Sequence, residues 1–318
     1  MQVIEDLSVP PFLGERTVVT IGAYDGVHVG HRAVIAAVRE RAESEGCRSV
    51  VVTFDRHPAS VVRREAAPRM LTSLDQKIDL LTLTGVDAVV VVRFDEGQAA
   101  EAAEDFVERV LVRGLSAKVV HVGEDFRFGH GRAGSVALLN EMGGRHGFVC
   151  EPLALVPRAD GVDEPVSSTA IRRALAGGEI DTATRMLGRW HEVHGRVGTG
   201  DQRGRTIGFP TANVEVPLGT CMPADGVYAG LHVRPDGSEH ACAINLGRRP
   251  TFYADADVSL LEVHLLDFEG DLYGEDAAVR FLAFLRSERQ FGGVDDLRAQ
   301  LALDIEHARA AVRARRPG

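Results

Sequence analysis

The sequence predicts an α/β half followed by a β half: a parallel sheet covered by helices, then a small antiparallel barrel with a terminal helix. Three observations carry this. Apolar runs of strand length alternate with helical periodicity up to about residue 156. Near residues 187–190 the period changes to short extended segments. An amphipathic stripe returns at the end of the chain.

Each element has its own signal. Residues 17–22 (TVVTIG) form a buried strand, and 31–45 a helix with Val34, Ile35 and Val38 at helical spacing. Residues 48–55, 88–94, 118–122 and 148–156 are four further strands. Helices are expected at 74–83, at 100–112 with Phe106, Val107, Val110 and Leu111 on one face, and at 135–146. Apolar strands joined through helices imply right-handed crossovers and a parallel sheet buried on both faces. Ligands bind beyond the carboxyl ends of such strands.

In the second half, residues 228–234 and 239–246 flank Pro-Asp-Gly, a hairpin signal. Residues 258–268 and 278–286 flank a Gly-rich turn and read as a second hairpin. A helix from about Val294 carries Leu297, Leu301, Ile305, Ala308 and Val312 as its stripe. The expected division is 1–186 and 187–318.

Composition narrows the function. The chain has 318 residues, 45% of them hydrophobic and 26% charged, enough for two ordinary cores. A net charge of −10 argues against nucleic acid as a bulk partner. The four cysteines have no C-x-x-C pairing and read as free thiols. No leader-like N-terminus and no long apolar run are present, so no membrane association and a cytoplasmic location are expected.

Six stretches carry chemistry. GAYDGVHVGH (22–31) leaves a strand and enters a helix; Gly22, Gly26 and Gly30 permit close backbone approach, and His28 and His31 can face one anion at the helix N-terminus. TFDRHP (53–58) adds His57. VGEDFRFGHGRAG (122–134) offers Asp125 to a ribose hydroxyl or purine amine, with Phe126 and Phe128 expected in the core. In SSTAIRRAL (167–175), Ser168 or Thr169 can cap a helix whose first turn holds Arg172. GRTIGFPTAN (204–213) has a loop of Gly204, Arg205 and Phe209 suited to moulding around a ligand, with Thr211 and Asn213 as hard-cation oxygens for Mg²⁺. In LLEVHLLDF (260–268), Glu262 shares a face with Leu260, His264 and Leu266 and is a candidate general base.

Together with GVYA (226–229), INLGRRPTF (244–252), DLYG (271–274) and FLRSERQF (284–291), these stretches resemble, in order and nearly end to end, the bifunctional bacterial riboflavin kinase/FAD synthetase family. The resemblance implies a Rossmann-like N-terminal nucleotidyltransferase and a C-terminal barrel kinase. The barrel is expected to convert riboflavin and ATP to FMN, and the first half to convert FMN and ATP to FAD and pyrophosphate. It implies that His28 and His31 hold ATP phosphates and that Asp125, Ser168, Thr169 and Arg172 complete the adenylyl-transfer site. It further implies that Thr211 and Asn213 hold Mg²⁺ with ATP, and that Glu262 is the kinase base. Riboflavin, FMN and ATP are the expected partners of a monomer or weak homo-oligomer. Arg56 stands where proline is common in the family and adds a cation beside His57. A kinase-only paralogue and a non-catalytic flavin or nucleotide sensor are the alternative readings.

Overall fold

The computed structural model describes residues 1–199, 208–248 and 259–315. By internal contacts the chain falls into two units, Met1–Ser168 and Thr169–Gly318.

The first unit is built on a six-stranded parallel sheet of order β1-β4-β3-β2-β5-β6. The strands are β1 (Gln2–Ile4), β2 (Thr17–Ile21), β3 (Arg48–Phe54), β4 (Ala88–Val92), β5 (Ala117–Gly123) and β6 (Val149–Leu153). Its helices are α1 (Val29–Glu45), α2 (Ala59–Val62), α3 (Leu74–Thr82), α4 (Glu96–Ala100), α5 (Ala103–Phe106) and α6 (Val136–His146). The expected 100–112 helix is instead α4, a break, and α5 continuing as a π-helix over Val107–Gly114. The expected strands are all present. β1 was not foreseen, because three residues with two exposed show no period.

Alternation explains the double burial. Val50 and Val52 pack with Val90, Val120, Phe106 and Leu111 on one face, while Val51 packs with Val89, Ile35 and Leu81 on the other. Each such valine contributes about 1.5–3 kcal/mol when fully buried. Phe128 is in the core and Phe126 is half-buried against it. The direction of travel reverses at β2, which has β3 on one side and β5 on the other. This switch point opens a crevice at the carboxyl ends of the strands.

The second unit begins at Thr169 within α7 (Ser168–Ala176), includes α8 (Ile180–Leu187) and continues into a closed antiparallel barrel of order β10-β11-β8-β7-β12-β9. Its strands are β7 (His191–Gly198), β8 (Ala212–Glu215), β9 (Gly226–Val233), β10 (Glu239–Arg248), β11 (Ser259–Leu265) and β12 (Asp276–Arg286). The helix pair joins this unit because the Leu175 carbonyl accepts from Ala224 N at 2.9 Å and α8 packs on β7 and β12.

The β9–β10 hairpin is present. The second expected hairpin is not: β11 pairs with β10 and β8, whereas β12 pairs with β7 and β9. Closing the barrel requires the β11–β12 connection to cross from one neighbourhood to another. Gly274 N bonds the Val197 carbonyl and Val197 N bonds the Glu275 carbonyl, which draws this connection to β7. The terminal helix, α9 (Val294–Arg315), packs on the outer barrel face. Its most buried residues are Gln300, Asp304, Ala308 and Val312, with Leu297, Leu301 and Ile305 half-buried. Polar groups displace the leucines there because Arg286 forks onto the Asp304 carboxylate at 2.9 and 2.7 Å and Gln300 donates to it at 2.7 Å. All four cysteines are free thiols.

Candidate functional sites

In the first unit, three loops leave adjacent strands at the switch point. Gly22 follows β2 and donates its N–H to the Val52 carbonyl at 3.0 Å. The loop then takes unusual dihedrals: φ is 50° at Tyr24, 82° at Gly26 and 36° at Val27. Positive φ at a tyrosine and a β-branched valine stores strain, so surrounding bonds must hold it. Tyr24 is buried, its hydroxyl 2.6 Å from Thr20 Oγ1. The buried Asp25 carboxylate accepts from Leu71 N and Thr72 N at 3.0 and 3.1 Å, and Gly26 N donates to Thr72 Oγ1 at 3.1 Å.

His28 is the N-cap of α1; its Nδ1 accepts from His31 N at 3.3 Å. With Nδ1 an acceptor, the neutral ring carries its proton on Nε2. The His28 and His31 rings stack at 3.5 Å, with Tyr24 against His31 at 4.9 Å. Gly30 lies in the first turn, where a Cβ would sit 3.2 Å from the His28 ring. The two histidines are therefore brought together at a helix N-terminus, where free N–H groups favour an anion.

His57 follows β3; its Nδ1 accepts from Ala59 N at 3.1 Å. Arg56 is exposed and turned onto its neighbour, donating to Asp55 Oδ2 at 3.0 and 2.9 Å. The cation expected beside His57 is thus largely neutralised by Asp55. Asp125 lies in the exposed turn after β5, with Oδ1 3.0 Å from where a Gly123 Cβ would be. Ser168 is the first residue of α7 rather than its cap, and its hydroxyl donates to the Asp25 carbonyl at 2.9 Å. Thr169, exposed, and Arg172, half-buried, continue the same helix within the second unit.

The second site lies in the barrel. Thr211 and Asn213 line a cavity of roughly 560 Å³, shared with Val197, Val263, Leu265 and the 268–273 segment. This is an ordinary size for a small-molecule site. Asn213 Oδ1 is buried and has no hydrogen-bond partner among the described residues. A buried oxygen without a donor costs about 1–3 kcal/mol. An amide oxygen placed this way suits a hard cation such as Mg²⁺. Among the described residues, no group of three or more His, Cys, Asp or Glu side chains is arranged for a metal.

Glu262 is half-buried on β11, directly opposite Asn213 on β8. It does not line the cavity itself; Val263 and Leu265, on the alternate face, do. Phe209 is half-buried with its ring 6.0 Å from that of His264, whose Nδ1 donates to the Pro210 carbonyl at 2.7 Å. Gly204 and Arg205 lie outside the described residues.

Sequence reasoning missed two groups. Asn245 pairs with Glu262 on the side away from Asn213, so Asn213, Glu262 and Asn245 form a polar row across three strands. Its only sequence signal was an amide alternating with buried Ile244 and Leu246. Lys77 lies beneath the first site, and its signal was a cation in the first turn of a helix.

The first part of the chain, residues 13–170, matches the family model described as FAD synthetase. Residues 187–312 match the one described as riboflavin kinase. The bifunctional riboflavin kinase/FMN adenylyltransferase of Haemophilus influenzae is 37% identical over 98% of this chain and 99% of its own. That of Escherichia coli is 40% identical over 96% and 95%. A solved structure described as a macrolide-efflux protein from Streptococcus pneumoniae superposes with a TM-score of 0.84 at 27% identity, over 96% of this chain and 98% of the other. Among the described residues, no helix is long and apolar enough to cross a membrane.

Proposed function

The chain belongs to the bifunctional riboflavin kinase/FMN adenylyltransferase family, and from that premise we propose how its residues divide the two reactions. The barrel phosphorylates riboflavin with ATP to give FMN. The parallel-sheet half joins FMN and ATP to give FAD and pyrophosphate. We take the functional division at 186/187, the second family match beginning at residue 187.

What supports this reading is that each half carries residue types chemically suited to its own reaction. In the kinase the nucleophile is a ribityl hydroxyl, which must lose a proton. Glu262 is the base that accepts it. Thr211 and Asn213 would hold Mg²⁺ for the ATP phosphates; the buried Asn213 Oδ1, without a hydrogen-bond partner among the described residues, supports this. When bound, the ion neutralises charge on the transferring phosphoryl group. Gly204, Arg205 and Phe209 complete the nucleotide contacts of this half.

In adenylyl transfer the nucleophile is the FMN phosphate, already an anion. It needs no base, only alignment and charge neutralisation at the α-phosphate. His28, capping α1 through Nδ1, presents Nε2–H; His31 stacks behind it, and the first-turn N–H groups of α1 add donors. Gly22, Gly26, Gly30, His57, Asp125, Ser168, Thr169 and Arg172 are assigned to nucleotide contacts in this reaction. The chain acts in the cytoplasm, as a monomer or weak homo-oligomer, without nucleic-acid partners.

The test is incubation with riboflavin, ATP and Mg²⁺, with flavins resolved over time. FMN followed by FAD is expected. FMN alone would leave a kinase, and neither product would overturn the reading.

A further inference from the structure

Lys77 is 2% exposed, an unusual burial for a lysine. It sits in the first turn of α3, behind the capping box of Ser73 and Gln76. A cation there opposes the helix dipole, so helix stability is no reason for it. Its Nζ donates instead to two carbonyls from different loops: Ala23 O, in the turn after β2, at 3.3 Å, and Phe54 O, at the end of β3, at 2.6 Å. Thr53 Oγ1 also donates to Ala23 O, at 3.1 Å. The carboxylates of Asp25 and Asp55, in the same two loops, attract the ammonium electrostatically. Burial lowers its pKa to about 8 against their upward pull.

Ala23 precedes the strained Tyr24–Val27 stretch, and Phe54 precedes His57 by three residues. One side chain thus spans the loop that ends in His28 and the turn that carries His57. We propose that Lys77 is a positioning residue for adenylyl transfer, holding these two loops at the separation that lets nucleotide phosphates meet both. It touches no reacting atom; it acts through the backbone at Ala23 and Phe54. The proposal rests on the reading of this half as the adenylyltransferase.

The test uses the full-length chain and two variants, Lys77→Met and Thr53→Val. Each removes donors to Ala23 at nearly constant shape. FAD formation from supplied FMN is measured against ATP concentration, with FMN formation from riboflavin as control. In Lys77→Met the KM for ATP in FAD formation is expected to rise about tenfold or more, and in Thr53→Val about threefold, with FMN formation unchanged. A fall in kcat with KM unchanged would mean lost folded enzyme and overturn the proposal, as would unchanged kinetics in both variants. If Lys77→Met does not fold, Thr53→Val decides alone: a raised KM at an unchanged melting temperature supports the proposal, and an unchanged KM overturns it. If the wild-type chain makes no FAD, the functional reading fails. ATP calorimetry then decides for Lys77: loss of one binding step in Lys77→Met supports its role, and identical isotherms reject it.

Discussion

Glu262 on β11 and Asn213 on β8 stand directly opposite each other in an antiparallel pair. Residues so paired point to the same face, with Cβ atoms about 4.5–5.5 Å apart. A carboxylate and an amide oxygen without a partner among the described residues therefore share one patch of the barrel surface, 49 residues apart in the chain. Glu262→Gln removes the proposed base while keeping the shape. FMN formation is expected to fall by about 10²–10⁴, while FAD formation from supplied FMN stays level. Equal loss of both would show that Glu262 acts on folding rather than on the kinase.

Asn213 separates stability from function. Its Oδ1 is buried without a donor among the described residues, so truncation removes an unsatisfied group rather than a bond. Asn213→Ala should leave the melting temperature within a few degrees while raising the kinase's Mg²⁺ requirement about tenfold or more. Thermal melts and a Mg²⁺ titration of FMN formation read both. A large drop in melting temperature with no change in metal requirement would contradict the assignment.

His28 caps α1 and is proposed to hold phosphate, and two substitutions part the two roles. Its Nδ1 caps α1 through His31 N, so His28→Ala should cost about 1 kcal/mol of stability as well as FAD formation. His28→Asn keeps an N-cap acceptor without the imidazole. It should recover the stability and not the activity. Unchanged FAD synthesis in either variant would remove His28 from the mechanism.

Arg56 is bound to Asp55 at the surface. An exposed neighbouring pair is worth little. Arg56→Pro should leave FAD formation within about twofold of wild type. A larger gain would mean that the arginine does restrain adenylyl transfer.

The barrel should weaken in mild acid. His191 is fully buried, its Nε2 2.8 Å from the Cys221 carbonyl, and burial pushes its pKa down to about 4. His232, wholly buried on β9, is pushed to about 4 for the same reason. Between pH 6.5 and 4 the unfolded chain binds protons at these histidines that the folded chain does not, so stability falls as pH falls through that window. Each contributes up to about 3 kcal/mol of this slope. Denaturant melts from pH 7 to 4 should show it, and His232→Phe should flatten it. An unchanged slope in that variant would exclude His232.

Much of this was legible in advance for local reasons. The valine runs of β3, β4 and β5 report their own burial, and the helices report their periods. The Gly22–His31 loop sits where a strand turns into a helix, so its glycines and histidines stand out by spacing alone. Arg56 shows where spacing misleads: its charge was visible, but not that Asp55 would take it up. Asn245 stayed hidden because its place opposite Glu262 comes from register, and register is set by which strands become neighbours.

From its residues alone this chain determines two folds and their order, and it singles out candidate phosphate-loop, carboxylate and metal-oxygen residues. Those depend on periodicity and residue type within short windows. Only the tertiary structure decided that β11 leaves its sequence neighbour β12 to pair with β8, and that Lys77 reaches Ala23 and Phe54 together. Barrel closure must pair every strand edge, and a buried ammonium must find carbonyls wherever the packed loops supply them. Both are global constraints that no single segment encodes.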